Sequence, residues 1–133
     1  MIYTLDTNII IHLIINTPTV FNRYENCLLN RHKLILSPYV DFEIRRGLRY
    51  KKATKKEQIY ERLSMNWSIR DMGHNVWLRA VDIYSDLKYK GLTVSDADIL
   101  IAAFCLENKS VLVTNNTKDF INIVDLTIED WVN

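Results

Sequence analysis

The chain has 133 residues, of which 48% are hydrophobic, and its 17 Lys and Arg residues against 16 Asp and Glu residues give a formal net charge of +1. This length and apolar content suffice for one buried core, which excludes a disordered chain and predicts a single domain over residues 1–133. The near-neutral charge excludes a strong overall attraction to nucleic acid or anionic membranes, so only the local distribution of charge can indicate such a partner.

The two cysteines, Cys27 and Cys105, lie in apolar stretches without CxxC spacing. This pattern predicts buried free thiols, as in a reducing compartment, rather than a disulfide or a metal site. The N-terminal residues lack the features of a signal peptide, and no apolar run reaches the roughly 20 residues that a membrane span requires. We therefore expect a cytoplasmic protein with no membrane partner.

Helices dominate the predicted elements, because only three glycines and two prolines interrupt the chain. In chain order the patterns predict a strand over 2–5, helices over 8–15 and 18–32, a strand over 33–37, helices over 38–50 and 54–66, a short strand over 69–72, a helix over 74–90, a helix from 98 onward, a strand over 110–114 and a final edge strand within 124–131. Ser37 followed by Pro38 is a typical helix start. Alternating strands and helices imply parallel pairing, and thus an α/β sandwich around a mainly parallel sheet of four to five strands.

Two acids follow predicted strands directly, at the positions where open α/β sheets bind ligands. Asp6 ends the first strand, and Asp119 comes shortly after the strand over 110–114. Each has an ordinary alternative role, Asp6 as the N-cap of the next helix and Asp119 as a solvated loop residue.

Two further acids lie on predicted helices. Glu43 falls on the apolar side of the helix over 38–50, where a carboxylate is costly unless a distant residue pairs with it. The arginines nearby are expected on the opposite side of this helix, so that none forms a simple ion pair with Glu43. Asp98 opens an apolar helix, where it alternatively completes a capping box with Ser95, and Asp96 could itself cap that helix.

Four acids at one edge of a parallel sheet would share one cleft and repel one another strongly. Mg²⁺ and Mn²⁺ relieve such repulsion, because hard divalent cations prefer oxygen ligands and are commonly held by one or two carboxylates together with substrate phosphates. The pattern therefore predicts a metal-dependent phosphoryl-transfer site with one or two ions.

Five segments of the chain resemble, in order and spacing, the PIN-domain ribonucleases, specifically the VapC-like toxins of toxin–antitoxin pairs. They are LDTNIIIHL, EIRRGL, SDADILIAAFC, VLVTNNTKDF and the terminal LTIEDW. The resemblance runs from end to end and implies one PIN-like α/β/α sandwich. It implies that the catalytic and metal-binding acids are Asp6, Glu43, Asp98 and Asp119, with Asn116 as the alternative to Asp119. It also implies supporting roles for Thr7, Asn8, Asp96, Thr114 and Asn116.

The same resemblance implies an activity and partners. The activity is endonucleolytic cleavage of single-stranded or looped RNA, such as tRNA or ribosomal RNA, by a metal-activated water that leaves 5′-phosphate and 3′-hydroxyl ends. The implied cofactor is Mg²⁺ or Mn²⁺, and the implied partners are a cognate antitoxin protein and a second copy in a homodimer. The apolar helical face over 9–15 could serve either such protein contacts or core packing.

A run of seven basic residues without an acid follows Glu43 and offers a surface for the RNA backbone. It comprises Arg45, Arg46, Arg49, Lys51, Lys52, Lys55 and Lys56. Its alternative role is that of a solvated helix end. Tyr39, Tyr50 and Trp67 could stack on unpaired bases, although aromatic residues more often belong to the core.

Three other functions compete with the toxin nuclease. A phosphatase of the haloacid dehalogenase type requires a second aspartate two positions after the first, and that position is Asn8. A non-catalytic RNA- or protein-binding module would have lost one of the acids, and Asp6, Glu43 and Asp98 are all present. A general RNA-processing nuclease without an antitoxin stays open, because the residues identify neither the RNA target nor the partner.

Overall fold

Five parallel strands form the central sheet of the computed structural model, which describes residues 1–133. The strands are β1 (Ile2–Leu5), β2 (Lys33–Leu36), β3 (Ser68–Ile69), β4 (Val111–Val113) and β5 (Ile128–Glu129), in the order β3-β2-β1-β4-β5. Tyr3 of β1 is in register with Leu34 of β2 on one side and with Val111 of β4 on the other. Because β1 pairs with β2 and β4 in parallel, the residues that follow these three strands emerge at the same edge of the sheet.

Seven helices cover the sheet. They are α1 (Thr7–Ile14), α2 (Pro18–Leu29), α3 (Pro38–Tyr50), α4 (Thr54–Ser64), α5 (His74–Tyr89), α6 (Asp96–Glu107) and α7 (Thr117–Phe120). α1 packs on α2, α3 on α4, and α5 on α6. The predicted α/β/α sandwich with a parallel sheet is confirmed, and β5 is the edge strand expected near the C-terminus. The helix α7 was not predicted, and β3 begins one residue before the predicted strand over 69–72.

Three helices that begin at the carboxyl edge of the sheet have a capped N-terminus. Asp6, Ser37 and Ser95 are the capping residues of α1, α3 and α6. The Ser37 hydroxyl accepts the backbone N–H of Tyr39 at 3.2 Å, as its position before Pro38 predicted. Because free amides at helix starts need partners, these caps fix where each helix leaves the sheet edge.

Five helices are followed, two positions after their last residue, by a residue with left-handed backbone, and only one of these residues is glycine. They are Asn16 (φ 64°), Arg31 (φ 58°), Lys52 (φ 54°), Gly91 (φ 72°) and Lys109 (φ 52°). The next backbone N–H then reaches back five positions, as from His32 to the carbonyl of Cys27 at 3.1 Å, and satisfies a terminal helix carbonyl. Such a turn ends α2 at Leu29, before the predicted end at 32, and no glycine marks it in the sequence.

The core includes aromatic and thiol side chains. Trp67 is buried, its indole N–H donates to the Tyr24 hydroxyl at 3.0 Å, and its ring lies 6.3 Å from that of Tyr60. The suggestion that Trp67 stacks on RNA bases is therefore wrong. Cys27 and Cys105 are buried free cysteines, as predicted, and burial raises the pKa of Cys105 to about 12.

The apolar face of α1 belongs to the core. Ile9, Ile10, Leu13 and Ile14 are buried, and in the stretch over 9–15 only Ile15 is largely exposed. Core packing, rather than a protein contact, therefore accounts for this face. No helix of the protein combines the length and the apolar character that crossing a bilayer demands.

Candidate active site

Asp6 lies at the centre of the carboxyl edge, between the end of β1 and the start of α1. Its backbone N–H donates to the carbonyl of Val113 at 2.9 Å and so extends the pairing of β1 with β4. The carboxylate is buried, with Oδ1 accepting the Thr7 amide at 2.8 Å and Oδ2 accepting the Thr114 hydroxyl at 2.8 Å. Because each carboxylate oxygen has two lone pairs, both oxygens keep acceptor capacity for a further ligand.

Glu43 is connected to Asp6 through Thr7. The Thr7 hydroxyl donates to Glu43 Oε1 at 2.9 Å, while the amide of the same residue binds Asp6. The second oxygen, Oε2, lies 3.7 Å from the Arg46 guanidinium. The expectation that no nearby arginine pairs with Glu43 is therefore wrong, because residues three apart on a helix lie on the same side.

Asp98 lies in the first turn of α6. Its backbone N–H donates to the Ser95 hydroxyl at 3.2 Å, so Ser95 is the cap of this helix and Asp96 is not. Asp96 is exposed, makes no hydrogen bond or ion pair through its side chain, and lines a hollow together with Trp77 of α5. The structure thus does not bring Asp96 to the other predicted acids.

Asp119 lies on α7, and two hydrogen bonds connect the turn before that helix to Asp6. The backbone N–H of Asn116 donates to the Thr114 hydroxyl at 3.0 Å, and this hydroxyl donates to Asp6. Asn116 therefore acts on the site through its backbone. Asn8, the remaining predicted supporting residue, is exposed and makes no side-chain hydrogen bond.

The charges of neighbouring acids add to burial in raising the pKa of Asp6 and of Asp98. Burial raises the pKa of Asp6, and the charges of Glu43 and Asp119 raise it further, against the hydrogen bonds from Thr114 and Thr7. Burial also raises the pKa of Asp98, helped by the charges of Asp6, Asp119 and Glu43. We call Asp6, Glu43, Asp98 and Asp119 the acid cluster. The charge of Asp119 acts on both other aspartates, and Asn116 stays the alternative fourth member that the sequence predicts.

Comparison with known proteins assigns the family. The PIN domain family profile matches residues 3–126, and the chain is 32% identical to Ribonuclease VapC2 of Rickettsia felis over 98% of each protein. The chain belongs to the VapC group of PIN-domain proteins. It is also 31% identical to Ribonuclease VapC1 of Haemophilus influenzae over 98% of each protein. The solved structure of VapBC2 from Rickettsia felis, bound to a DNA fragment from its promoter, matches with a TM-score of 0.90 at 29% identity and covers 98% of this chain and 99% of its own.

The donor atoms of the acid cluster suit a hard divalent cation. All of them are carboxylate oxygens, the ligands that Mg²⁺ and Mn²⁺ prefer. No group of three or more His, Cys, Asp or Glu side chains is arranged so that it could hold a metal ion by itself. The site of this PIN domain therefore fits an ion held by one or two carboxylates, with water and substrate phosphate completing its shell, as is usual for Mg²⁺. Asp6 and Glu43 are the best such pair, because Thr7 fixes one oxygen of each.

The basic run of the PIN domain divides into three arginines that form ion pairs, Arg46 with Glu43 among them, and four lysines that form none. Arg45 is committed to Asp41 at 2.8 Å and to Glu61, and Arg49 pairs with Glu57 at 3.3 Å. The lysines that follow are exposed and form no ion pair, and they are Lys51, Lys52, Lys55 and Lys56. Arg45 is therefore not available for RNA, whereas the four lysines are.

The contacts of two threonines were missed by reasoning from the sequence. Thr7 and Thr114 were predicted as supporting residues, but their partners, Glu43 and Asp6, lie 36 and 108 positions away. No local pattern indicates such pairs. The contact between Glu43 and Arg46, by contrast, could have been found from their spacing of three on a helix.

Proposed function

We propose that this PIN domain is the toxin of a toxin–antitoxin pair, and that it cleaves single-stranded or looped RNA in the cytoplasm with Mg²⁺ or Mn²⁺ as cofactor. The observation that carries the proposal is the acid cluster at the carboxyl edge of the sheet, in which burial and like charge together raise the pKa of Asp6 and of Asp98. The similarity to two full-length proteins named Ribonuclease VapC supports RNA as the substrate. Loops of tRNA or ribosomal RNA are the targets we favour.

Asp6 and Glu43 would hold the cation, which would lower the pKa of a water and provide positive charge to the leaving oxygen. The residues of the chain hold the site in place. Thr7 fixes Asp6 through its amide and Glu43 through its hydroxyl, and Thr114 fixes the second oxygen of Asp6. Because these oxygens are held before substrate arrives, little reorganisation is needed during the reaction. Asp98 adds negative charge that favours a divalent over a monovalent cation.

The lysines of the α3–α4 turn, a name that here includes Lys55 and Lys56 in the first turn of α4, bind the RNA backbone beside the cleaved bond. At a rise of 1.5 Å per residue, Lys51 lies about 12 Å from Glu43 along the helix axis. This separation suits phosphates that flank the reacting one. Tyr50 is 89% exposed next to Lys51 and is placed to stack on an unpaired base.

A stripe of apolar side chains on α5 supports the proposed homodimer. Trp77, Leu78, Val81 and Tyr84 are all about half exposed or more, and their spacing places them on one side of the helix. Exposed apolar surface of this kind is typical of protein interfaces. In a symmetric dimer the same stripe contacts itself across the two-fold axis, which leaves other surfaces of each copy for the antitoxin.

The experiment that tests the proposal is RNA cleavage by the purified, antitoxin-free protein with Mg²⁺ and with EDTA. Cleavage that requires the metal and leaves 5′-phosphate ends is expected. Asp6→Asn and Glu43→Gln should each reduce the rate by more than about a hundredfold, since even residues that only orient metal ligands contribute ten- to a hundredfold. RNA binding without cleavage would instead support the non-catalytic binding module.

A further inference from the structure

The acid cluster has one basic neighbour. Of its four members only Glu43 forms an ion pair, with Arg46, whereas Asp6, Asp98 and Asp119 have no basic side chain within 4.0 Å. Arg46 is therefore the basic side chain that lies next to the cluster, on its α3 side.

The ion pair between Arg46 and Glu43 is weak and can dissociate easily. The two side chains are 3.7 Å apart, too far for a hydrogen bond, and the arginine side chain is 56% exposed against 20% for the glutamate. Exposed pairs of this kind contribute little stability. The Arg46 guanidinium also lies 4.9 Å from the ring of Phe42, which holds it by a cation–π contact without Glu43.

Glu43 keeps its position when Arg46 leaves. Its other oxygen accepts the Thr7 hydroxyl at 2.9 Å, and Thr7 is itself bound to Asp6. The neighbouring Arg45 differs in every respect, because it binds Asp41 at 2.8 Å and Glu61 and lies 5.3 Å from the buried ring of Tyr60. Arg45 is a fixed part of the α3–α4 packing, while Arg46 is free to exchange partners.

We propose that Arg46 is an exchangeable counter-ion of the acid cluster: it pairs with Glu43 while the cluster holds no metal, and it transfers to a phosphate of the RNA when a divalent cation binds. This inference rests on the proposed metal-dependent RNA cleavage. Arg46 thereby opposes metal binding in the free protein and adds a phosphate contact only in the metal-bound protein. The competition follows from charge, because Arg46 and the cation neutralise the same carboxylate.

The first test is a calorimetric titration of Mn²⁺ into the metal-free protein without RNA. Arg46→Gln should bind Mn²⁺ about two- to fivefold more tightly than the unaltered protein, the range expected for the loss of a weak ion pair. Arg49→Gln is the matched control, since it removes the same charge from the same helix but its partner is Glu57. It should leave the Mn²⁺ affinity unchanged. Equal affinities in all three proteins would overturn the inference while leaving the metal site itself in place. If the unaltered protein binds no Mn²⁺, the proposed function and this inference fail together.

The second test compares the salt dependence of RNA binding with and without the metal. The initial fluorescence anisotropy change of a labelled single-stranded RNA, read before cleavage, gives the affinity at each salt concentration. In EDTA the slope of log affinity against log salt should be the same for Arg46→Gln and the unaltered protein. In Mn²⁺ the slope for Arg46→Gln should be smaller by about 0.7 to 1, the value of one lost phosphate contact. A difference of the same size in EDTA, or none in Mn²⁺, would show that Arg46 does not exchange partners.

Discussion

The carboxylate of Asp6 has two roles that an analysis of the sequence treats as alternatives. It caps α1 by accepting the Thr7 amide, and it belongs to the acid cluster. The roles are compatible because a cap uses one lone pair of one oxygen. Thr114 restrains the other oxygen. The hydrogen bond that caps the helix and the one from Thr114 thus together orient the proposed metal ligand.

The raised pKa of Asp98 predicts how stability depends on pH. The reference value of this carboxyl is 3.8, and burial followed by the charges of Asp6, Asp119 and Glu43 raises it in the folded protein. At pH values between the pKa of Asp98 in the unfolded chain and its higher pKa in the folded protein, the folded state binds more protons than the unfolded state. The contribution of Asp98 to stability therefore falls as pH rises. Asn at this position does not ionise, so its contribution to stability does not fall as pH rises.

Metal-free Asp98→Asn should therefore gain free energy of unfolding relative to the unaltered protein as pH rises from about 4 to neutral. Urea denaturation in EDTA across this pH range measures the difference. Saturating Mg²⁺ should reverse the order, because a ligand at a hundred times its dissociation constant stabilises the protein that binds it by about 2.7 kcal/mol. A difference independent of both pH and Mg²⁺ would contradict the account of Asp98.

The α3–α4 pair presents the lysines on a rigid support. The Tyr60 hydroxyl of α4 donates to Asp41 of α3 at 2.6 Å, and Arg45 of α3 bridges Asp41 to Glu61 of α4. The contact with Asp41 adds to burial in raising the pKa of Tyr60, so its hydroxyl stays a donor. The turn that joins the two helices is thereby held at a fixed distance from Glu43.

Replacing the four lysines of this turn by glutamine should weaken RNA binding and reduce its salt dependence. Each lost phosphate contact lowers the slope by about 0.7 for a single strand, so the four together predict a change of about 3. Fluorescence anisotropy at several salt concentrations measures it. The control replaces the same number of exposed lysines elsewhere, at Lys33, Lys88, Lys90 and Lys109. If both quadruple variants changed the slope equally, the turn would have no special part in RNA binding.

Most elements of the fold could be predicted from periodicity and from caps, and the exceptions have physical reasons. α3 was predicted from Ser37 and Pro38 to its last residue, because its start carries a local signal. The end of α2 was placed too late, since Arg31 adopts left-handed backbone without being glycine. The four residues of α7 are too few for a periodic pattern to appear.

The convergence of the acids could be predicted only in outline. Asp6 and Asp119 follow predicted strands, while Glu43 and Asp98 lie on predicted helices. The parallel sheet indicated a common edge for them. The hydroxyl contacts of Thr7 and Thr114 could not be predicted, because they depend on side-chain positions in elements far apart in sequence. The environment of Asp96 was likewise set by how α6 packs against α5.

Across the whole molecule, acidic and basic side chains are separated, although the net charge is only +1. The surface also carries an apolar stripe. The acid cluster lies at the carboxyl edge of the sheet, the lysines lie at the α3–α4 turn, and the apolar stripe lies on α5. The proposed RNA and cation sites therefore lie apart from the proposed contact with a second copy. Trp77 is fixed within the stripe, since its indole N–H donates to the carbonyl of Met72 at 3.1 Å.

Val81→Glu should convert the proposed homodimer into a monomer, because it would place two buried, unpaired carboxylates at the two-fold axis. Light scattering after size-exclusion chromatography measures the mass. Val124→Glu is the matched control, since Val124 is 57% exposed against 60% for Val81 but is not on α5. It should leave the dimer intact. A dimer that survives Val81→Glu would show that the α5 stripe is not the contact between copies.

The most direct test of the acid cluster as a cation site is the binding of Mn²⁺ to the metal-free protein, measured by calorimetry on the unaltered chain and on folded Asp6→Asn, Glu43→Gln and Asp82→Asn. We expect saturable binding by the unaltered protein and a loss of at least about tenfold in affinity for the first two variants. Asp82→Asn should show no change, because its carboxylate lies on α5 outside the cluster. Absence of binding by the unaltered protein, or equal affinity in all four proteins, would contradict the proposed cation site.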